Sequence, residues 1–319
     1  MELPISLKNA IEEKAAAFPQ PALMQSAARI TARYRTESGQ DKRLVSDEVD
    51  TATYAVVRMP ATFGAACSAL RYTLAGTDAQ IRTVLDIGTG TGTAAWAVFS
   101  ELSTVEQMTC VEREPAMIRF ASSLMQDTTF SEKIRWVEAD MCAFKPTEQY
   151  DLVIASYSLN ELSDARRAAV LQTLWAATGK VLLIVEPGTP EAFRQLKLTR
   201  TALLGSGAHL LAPCPHADAC PLPAGDWCHF TCRVARSRLH KQLKGGDVPF
   251  EDEKYAYLAV SKMPGTPAES RVLRHPQIES GRITLQLCTK TGTEMRVVTK
   301  KNKDQFKAAR KANAGDAFM

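Results

Sequence analysis

From Ile81 onward the chain repeats one pattern: a short apolar run, a polar or glycine-rich break, then a longer stretch with apolar positions at helical spacing. The runs are Val84-Leu85-Asp86-Ile87, Gln107 to Val111, Ile134 to Met141, Tyr150 to Tyr157 and Val181 to Val185. Their near-continuous apolar character predicts strands buried on both faces. Helical segments between them, such as Pro115 to Met125, imply parallel neighbours in a doubly wound α/β sheet, and such sheets gather ligands at the carboxyl ends of their strands.

Residues 1–80 read as helical. Leu7, Ile11, Ala15 and Phe18 recur at helical spacing before Pro19, and Pro21 to Tyr34 carries Arg29, Arg33 and Arg35 on or beside a second helix. A third spans Asp47 to Met59 with Ser46 as its N-cap, and Pro60 opens a fourth. This layer caps a sheet or, through its arginines, touches nucleic acid. The core is 81–205, a cysteine-rich segment fills 206–250, and antiparallel strands at Lys254–Ser261 and Arg282–Thr289 complete the sheet within 251–299, with Glu294 to Thr299 adding a strand. The basic tail 300–319 is expected to order only on a partner.

The sharpest local signal is Asp86-Ile87-Gly88-Thr89-Gly90-Thr91-Gly92, which reads as strand, tight turn and helix start. Glycine admits positive φ and close approach of a ligand to the main chain, beside the unpaired N–H groups of a helix N-terminus. The dinucleotide fingerprint needs Gly-x-Gly-x-x-Gly, but Gly92 arrives one position early, so NAD fits poorly. An acid two residues before glycines at alternate positions resembles motif I of the class I S-adenosylmethionine (SAM) methyltransferases. That resemblance implies a Rossmann-like sheet with Asp86, Gly88, Gly90, Gly92, Glu112, Asp140, Met141 and Ser156 around the cofactor: Glu112 on the ribose hydroxyls and Asp140 by the adenine amino group.

Composition changes the picture mainly beyond residue 208. The 319-residue chain is ordinary globular material, 45% apolar and 23% charged, with a net charge of +4. Nine Lys or Arg against three Asp or Glu in 281–319 place a local +6 there, leaving about −2 on the rest. No run is long and apolar enough to span a bilayer, and the first residues lack the basic and apolar regions of a signal peptide. A cytoplasm-like compartment is expected, the mitochondrial matrix if the protein is organellar, with no membrane partner and a monomeric state. Eight cysteines in a reducing compartment point to metal binding or packing rather than disulfides.

All five histidines and five of the eight cysteines lie past residue 208. Cys214, Cys220 and Cys228 sit among Pro and Gly residues, a poor core and a good ligand loop. Cys67, Cys110 and Cys142 read as small apolar residues in helix or strand. Zinc sites usually show cysteine pairs two to four residues apart; the wider spacing here leans toward an iron–sulfur cluster, with zinc as the alternative. A cluster needs a fourth thiolate, and Cys232 and Cys288 both qualify. Directly after it, Arg233 to Lys244 holds five cations and no acid; on one helix Arg233, Arg236, Lys241 and Lys244 would share a face suited to phosphates, with Arg238 beside them. Lys300, Lys301 and Lys303 extend the basic set.

Several separated motifs together resemble a methyltransferase-like family associated with the small ribosomal subunit of bacteria and mitochondria. They are Leu159-Asn160-Glu161-Leu162, Glu186-Pro187-Gly188, Cys214-Pro215-His216 with Cys220-Pro221, Trp227-Cys228-His229-Phe230, Tyr255-Ala256-Tyr257-Leu258 and Leu287-Cys288-Thr289. The resemblance runs from about residue 50 onward. It implies a class I SAM methyltransferase fold with an N-terminal helical region and a Cys-rich iron–sulfur insertion after the fifth strand, a four-iron four-sulfur (4Fe-4S) cluster on Cys214, Cys220, Cys228 and Cys288, and work with small-subunit ribosomal RNA and proteins during assembly.

Two functions of different class follow. As an rRNA methyltransferase, the chain would place the acceptor with Ser156, Tyr157 and Asn160 and orient it or take a proton with Glu161. Exocyclic-amine methylases carry Asp or Asn, Pro-Pro and an aromatic there; Ser156-Tyr157-Ser158-Leu159 stands instead, and no cysteine is present for pyrimidine C5 chemistry. As an assembly factor, it would hold SAM and the cluster as structural or sensing elements while clamping RNA. A small-molecule methyltransferase leaves the basic segments unexplained.

Overall fold

The computed structural model describes residues 1–37, 39–45 and 47–319. Four helices come first: α1 (Ile5–Ala15), α2 (Gln20–Glu37), α3 (Glu48–Val57) and α4 (Met59–Leu74). The expected cap Ser46 lies outside the described residues; Asp47 caps α3, its carboxylate accepting from the Asp50 N–H at 2.7 Å. Arg29 pairs with buried Asp50, and Arg33 bonds Glu37 and the Arg43 carbonyl, so these two tie the helical layer together.

The alternating core follows as β1 (Thr83–Ile87), α5 (Thr93–Glu101), β2 (Gln107–Glu112), α6 (Pro115–Met125), β3 (Ile134–Glu138), β4 (Tyr150–Ser156), α7 (Asp164–Ala177), β5 (Thr178–Pro187) and α8 (Pro190–Gly205). The order β3-β2-β1-β4-β5 is parallel throughout, as the apolar runs predict. Alternate residues feed two cores. Val84, Leu152, Ile154, Leu183 and Val185 pack under α4 and α5, while Leu85, Ile87, Val153, Leu182 and Ile184 pack on α7 and α8. Helix α6 buries Met117, Ala121, Leu124 and Met125, one face at helical spacing.

Past α8 come β6 (His209–Ala212), β7 (Phe230–Ala235), α9 (Arg238–Lys244) and β8 (Phe250–Ser261). Strand β8 joins β5 antiparallel, giving a class I methyltransferase-like α/β fold with a mixed sheet. On its other edge β8 pairs with β7 at Phe250–Tyr255 and with β6 at Ala259–Ser261. The cysteine loop 213–229 therefore leaves the sheet at β6, rejoins it at β7, and crosses the gap beside Ala256–Leu258.

Three expectations change. Arg282–Thr289 does not complete this sheet; as β11 it pairs with β9 (Ser270–Val272), β10 (Gln277–Glu279) and β12 (Gly292–Thr299) in a separate antiparallel sheet. The segment 233–244 is not one helix: Phe230 to Ala235 alternates inward and outward as strand β7, and only α9 is helical. The basic tail is folded in this structure. Helix α10 (Lys303–Lys311) packs on the small sheet, Phe318 is buried with Val272, Ile283, Leu285, Leu287 and Val298, and Tyr72 donates to Asp316 at 2.8 Å. The physical reason is apolar burial that outweighs the tail's charge. Cys67 and Cys110 are buried in α4 and β2 as expected, whereas Cys142 is exposed just beyond β3. No helix among the described residues is long and apolar enough to cross a membrane.

Phe318→Ala should lower stability by about 3 kcal/mol or more, the usual cost of emptying an aromatic core site, and open residues 300–319 to limited proteolysis. Thermal melting with protease mapping checks this; an unchanged melt would mean that the tail is not docked in the free protein.

Candidate functional site

Strands β1, β2 and β4 end together, and the loops leaving them line one cleft that is partly open to solvent. Asp86, Gly88, Gly90, Glu112, Asp140, Met141, Ser156, Tyr157 and Glu161 all border it. Gly92 and Asn160 do not. Gly92 (φ +81°) starts α5 with its Cα turned to α6, where a Cβ would come within 2.3 Å of the Met125 Cε, so this glycine serves packing. At Gly90 (φ +57°) an added Cβ would meet only Met117 Sδ, at 3.7 Å, so its main chain is left open for close approach.

Acids dominate the lining: Asp86, Glu112, Glu114, Asp140 and Glu161 against the single cation Arg113. Asp86 is 1% exposed with both carboxyl oxygens unpartnered, and burial with the nearby Glu112 carries its pKa from the ordinary 3.8 to about 7. Glu112 accepts from the Gly90, Arg113 and Glu114 N–H groups at 2.8, 2.8 and 2.9 Å, which tie the glycine turn to the end of β2; burial still raises its pKa. One Asp140 oxygen accepts from the Cys142 N–H at 2.8 Å.

The acceptor-side segment turns inward. Tyr157 has φ +56°, a left-handed conformation that a side chain rarely adopts, and its hydroxyl donates to Glu253 at 3.0 Å, which Arg58 also binds at 3.1 Å. The Asn160 amide, with its oxygen and nitrogen assigned to suit its neighbours, donates to Glu186 at 3.0 Å and to the Tyr157 carbonyl at 3.2 Å. Burial pushes Glu161 to about 7 and Glu186 to about 8. Glu161 accepts from the Tyr34 hydroxyl at 3.2 Å, and the Ser156 hydroxyl is buried with no partner. Tyr34, Leu44, Val45 and Tyr54 close the cleft from the helical layer; sequence reasoning missed them because nothing in their spacing points to a site formed by a distant segment.

The second cavity lies in the gap on the β8 edge. Cys214, Cys220, Cys228 and Cys288 line it together, the first three from the loop and Cys288 from β11. Cys232 is elsewhere, on β7 against α4, where a Cβ on Gly64 would meet its sulfur. Burial and the neighbouring thiols push Cys228 up, and Cys288 rises to about 12 for the same reasons, while Arg200 and Arg271 act in the opposite direction on Cys214 and Cys288. Among the described residues no three His, Cys, Asp or Glu side chains converge tightly enough to hold a single metal ion. The loop is anchored by Trp227, whose indole donates to the Gly188 carbonyl at 2.9 Å, and by Arg274, which binds Asp226 and the Trp227 carbonyl. Gly188 is required there because a Cβ would strike β8 at Lys254, 2.7 Å away.

The basic set divides. Arg233 pairs with Asp252 through two bonds, and Arg236 and Lys244 both reach Glu251, at 2.8 and 2.9 Å, so these three are engaged within the protein. Arg238, Lys300, Lys301 and Lys303 are exposed and Lys241 is half-buried.

A family model described as mitochondrial small ribosomal subunit Rsm22 matches residues 48–319. The human ribosome assembly protein METTL17, mitochondrial, is 27% identical over 289 residues, covering 82% of this chain and 61% of that protein. Rsm22-cox11 tandem protein 2, mitochondrial, of Schizosaccharomyces pombe is 23% identical, covering 74% of this chain and 38% of its own length. The chain thus spans less than two thirds of the curated relatives it matches. Among solved structures, Synechocystis magnesium protoporphyrin IX methyltransferase with bound SAM aligns at 12% identity and a TM-score of 0.42, over 73% of this chain and 91% of that one. With every element from α3 to α10 inside the matched region and only α1 and α2 outside it, the chain belongs to the mitochondrial small ribosomal subunit Rsm22 family.

Proposed function

We propose that the chain is a small-ribosomal-subunit assembly factor that binds SAM in the β1–β2–β4 cleft and a 4Fe-4S cluster on Cys214, Cys220, Cys228 and Cys288, and docks on ribosomal RNA as a monomer. The relatives' names support the assembly role and a mitochondrial matrix setting. In the cleft, Asp86 offers an unpartnered carboxylate to the cationic amino-acid end of SAM, Glu112 and Asp140 take the ribose and adenine, and the main chain at Gly90 leaves the ligand room, whereas Ser158 and Met141 pack against Gly88. Bound SAM supplies an activated methyl group. In the second cavity four thiols sharing one space support the cluster reading, which takes four thiolates, with zinc as the alternative.

The observation that carries the non-consuming role is the acceptor corner: Tyr157 and Asn160 spend their polar groups on Glu253 and Glu186 inside the protein. A methyltransferase acting on rRNA is the second reading, favoured by Glu161, which borders the cleft with a pKa near that of a working general base. Incubation with methyl-labelled SAM and immature small subunits separates them. Cofactor binding without RNA labelling is expected, and stoichiometric label in the RNA would overturn the first reading in favour of the second.

Protonation of Asp86 gives the cleft a pH signature. Its carboxyl titrates near 7 in the ligand-free protein, so a cationic ligand binds more tightly as pH rises from about 5.5 to 7.5, up to about tenfold per pH unit. Asp86→Asn should weaken SAM binding and flatten that slope. The stability sign is opposite: a native pKa raised above the ordinary 3.8 makes ionisation unfavourable to folding, so the ligand-free wild type loses stability between about pH 4 and 7 through this group, and the Asn variant does not. Calorimetric titration and melting at several pH values check both.

For RNA contact, the exposed cations matter more than the paired ones. Lys300→Glu, Lys301→Glu and Lys303→Glu together should weaken binding to small-subunit RNA and reduce its log–log salt slope by up to about 0.9 per lost phosphate contact. Arg236→Glu should mainly destabilise the protein by breaking the Glu251 cluster. Equal salt slopes for the triple variant and wild type, in filter binding, would remove this lysine run from the interface.

A further inference from the structure

The cysteine cavity contains two buried cations that its thiols alone do not explain. Arg200, on α8, is 7% exposed; Arg271, on β9, is 3% exposed; both line the cavity, and no Asp or Glu does. Neither has a carboxylate within ion-pair distance among the described residues. Arg200 donates to the His216 and Asp218 carbonyls at 2.7 and 2.8 Å, leaving its Nε buried and unpaired. Arg271 donates to the Pro213 and Gly315 carbonyls at 3.0 and 2.9 Å and lies 5.2 Å from the Tyr72 ring. Asp316, which reaches Tyr72, is occupied by that hydroxyl and by the Asn313 N–H. Two more polar atoms of the same lining are orphaned: the Tyr257 hydroxyl and the His216 Nδ1.

Buried charge without a counter-charge is expensive, and buried donors without acceptors add to that cost. The arrangement fits an occupant that is anionic and rich in acceptor atoms. A four-iron cluster in its oxidised form, counted with its four thiolates, carries about two net negative charges and presents sulfide and thiolate acceptors, and charge and hydrogen bonds around such a cluster set its potential. We propose that Arg200, Arg271 and Tyr257 are positioning residues that form an electropositive donor shell around the cluster, neutralising its charge and holding its reduction potential high. This rests on the cluster reading above. Arg200 and Arg271 match the two negative charges of the oxidised form; the Arg200 Nε and the Tyr257 hydroxyl donate to sulfur. His216 keeps its imidazole beside the set, with Nε2 3.9 Å from the Cys288 sulfur.

The test uses the full chain purified anaerobically, with cluster content read from iron, sulfide and visible absorbance, and the potential from a mediated titration. SAM binding by each variant serves as the folding control. Wild type is expected to carry the cluster. Arg200→Gln should lower the potential by about 59 mV, a tenfold shift in a one-electron equilibrium, and Arg200→Lys should recover most of it by restoring the charge. Tyr257→Phe should lower the potential by less while leaving the melting point of the cluster-free protein unchanged or higher, because only an unpartnered hydroxyl is lost. A colourless wild type would sink the cluster reading itself. A cluster-loaded wild type whose potential is matched by Arg200→Gln and Tyr257→Phe would overturn the donor shell and leave the cluster standing.

Discussion

Uncompensated buried charge organises this molecule at two places, with opposite sign. In the cleft over β1, β2 and β4 the surplus is acidic: Asp86 has no partner, and Glu161 is raised toward neutrality by burial. In the cysteine cavity on the β8 edge the surplus is cationic, from Arg200 and Arg271. A folded chain tolerates such groups only where a ligand or a protonation change relieves them. The cleft suits a ligand with a cationic end and the cavity an anionic centre; the small sheet closes the cavity with Arg271 and Cys288, and the main sheet borders both sites.

That sheet also explains why the two sites are distinct. The parallel strands end together, so the turns after β1, β2 and β4 converge without further help. The second site needs an interruption. Strand β8 is paired along β5 without a break, but its opposite edge is shared by β6 and β7, and the loop between them bridges residues 256–258. An unpaired stretch of strand edge is a liability that proteins cover; here the cover carries three cysteines. The fourth, Cys288, comes from β11, where alternation sends Ile283, Leu285 and Leu287 into the small core and Cys288 to the other face. The small sheet is thereby fixed against the loop by side-chain placement rather than by strand pairing with the main sheet.

Legibility in the sequence follows the range of the forces involved. The Asp86 to Gly90 turn, Glu112, Asp140 and Ser156 were readable because strand ends and glycine turns are local, and the topology brings them together. The choice of Cys288 over Cys232 rested on resemblance alone, since a contact spanning more than 50 residues leaves no trace in spacing. The basic segment misled because five cations outweighed the alternation of Phe230, Cys232 and Val234, which are buried on one face of β7. Arg200 left a signal that went unused: it stands four residues after Leu196, on the face of α8 that also buries Ala192, Thr199 and Leu203. A cation on the apolar face of an amphipathic helix asks what it neutralises.

Tyr157 shows how tightly the cleft is joined to the rest. Its left-handed backbone costs on the order of 1–3 kcal/mol and persists only where the surroundings over-determine it. Here they do: its N–H donates to the Val185 carbonyl at 2.7 Å, and its hydroxyl reaches Glu253 on β8, which Arg58, at the junction of α3 and α4, also binds. One residue at the end of β4 is thus clamped by the fifth strand, the antiparallel strand that borders the cysteine loop, and the N-terminal helical layer. Contacts from three separate segments hold the strained corner in place. A corner held in this way, whose polar groups point into the protein, suits a bound cofactor that stabilises a docking-competent shape better than it suits the presentation of a nucleotide acceptor.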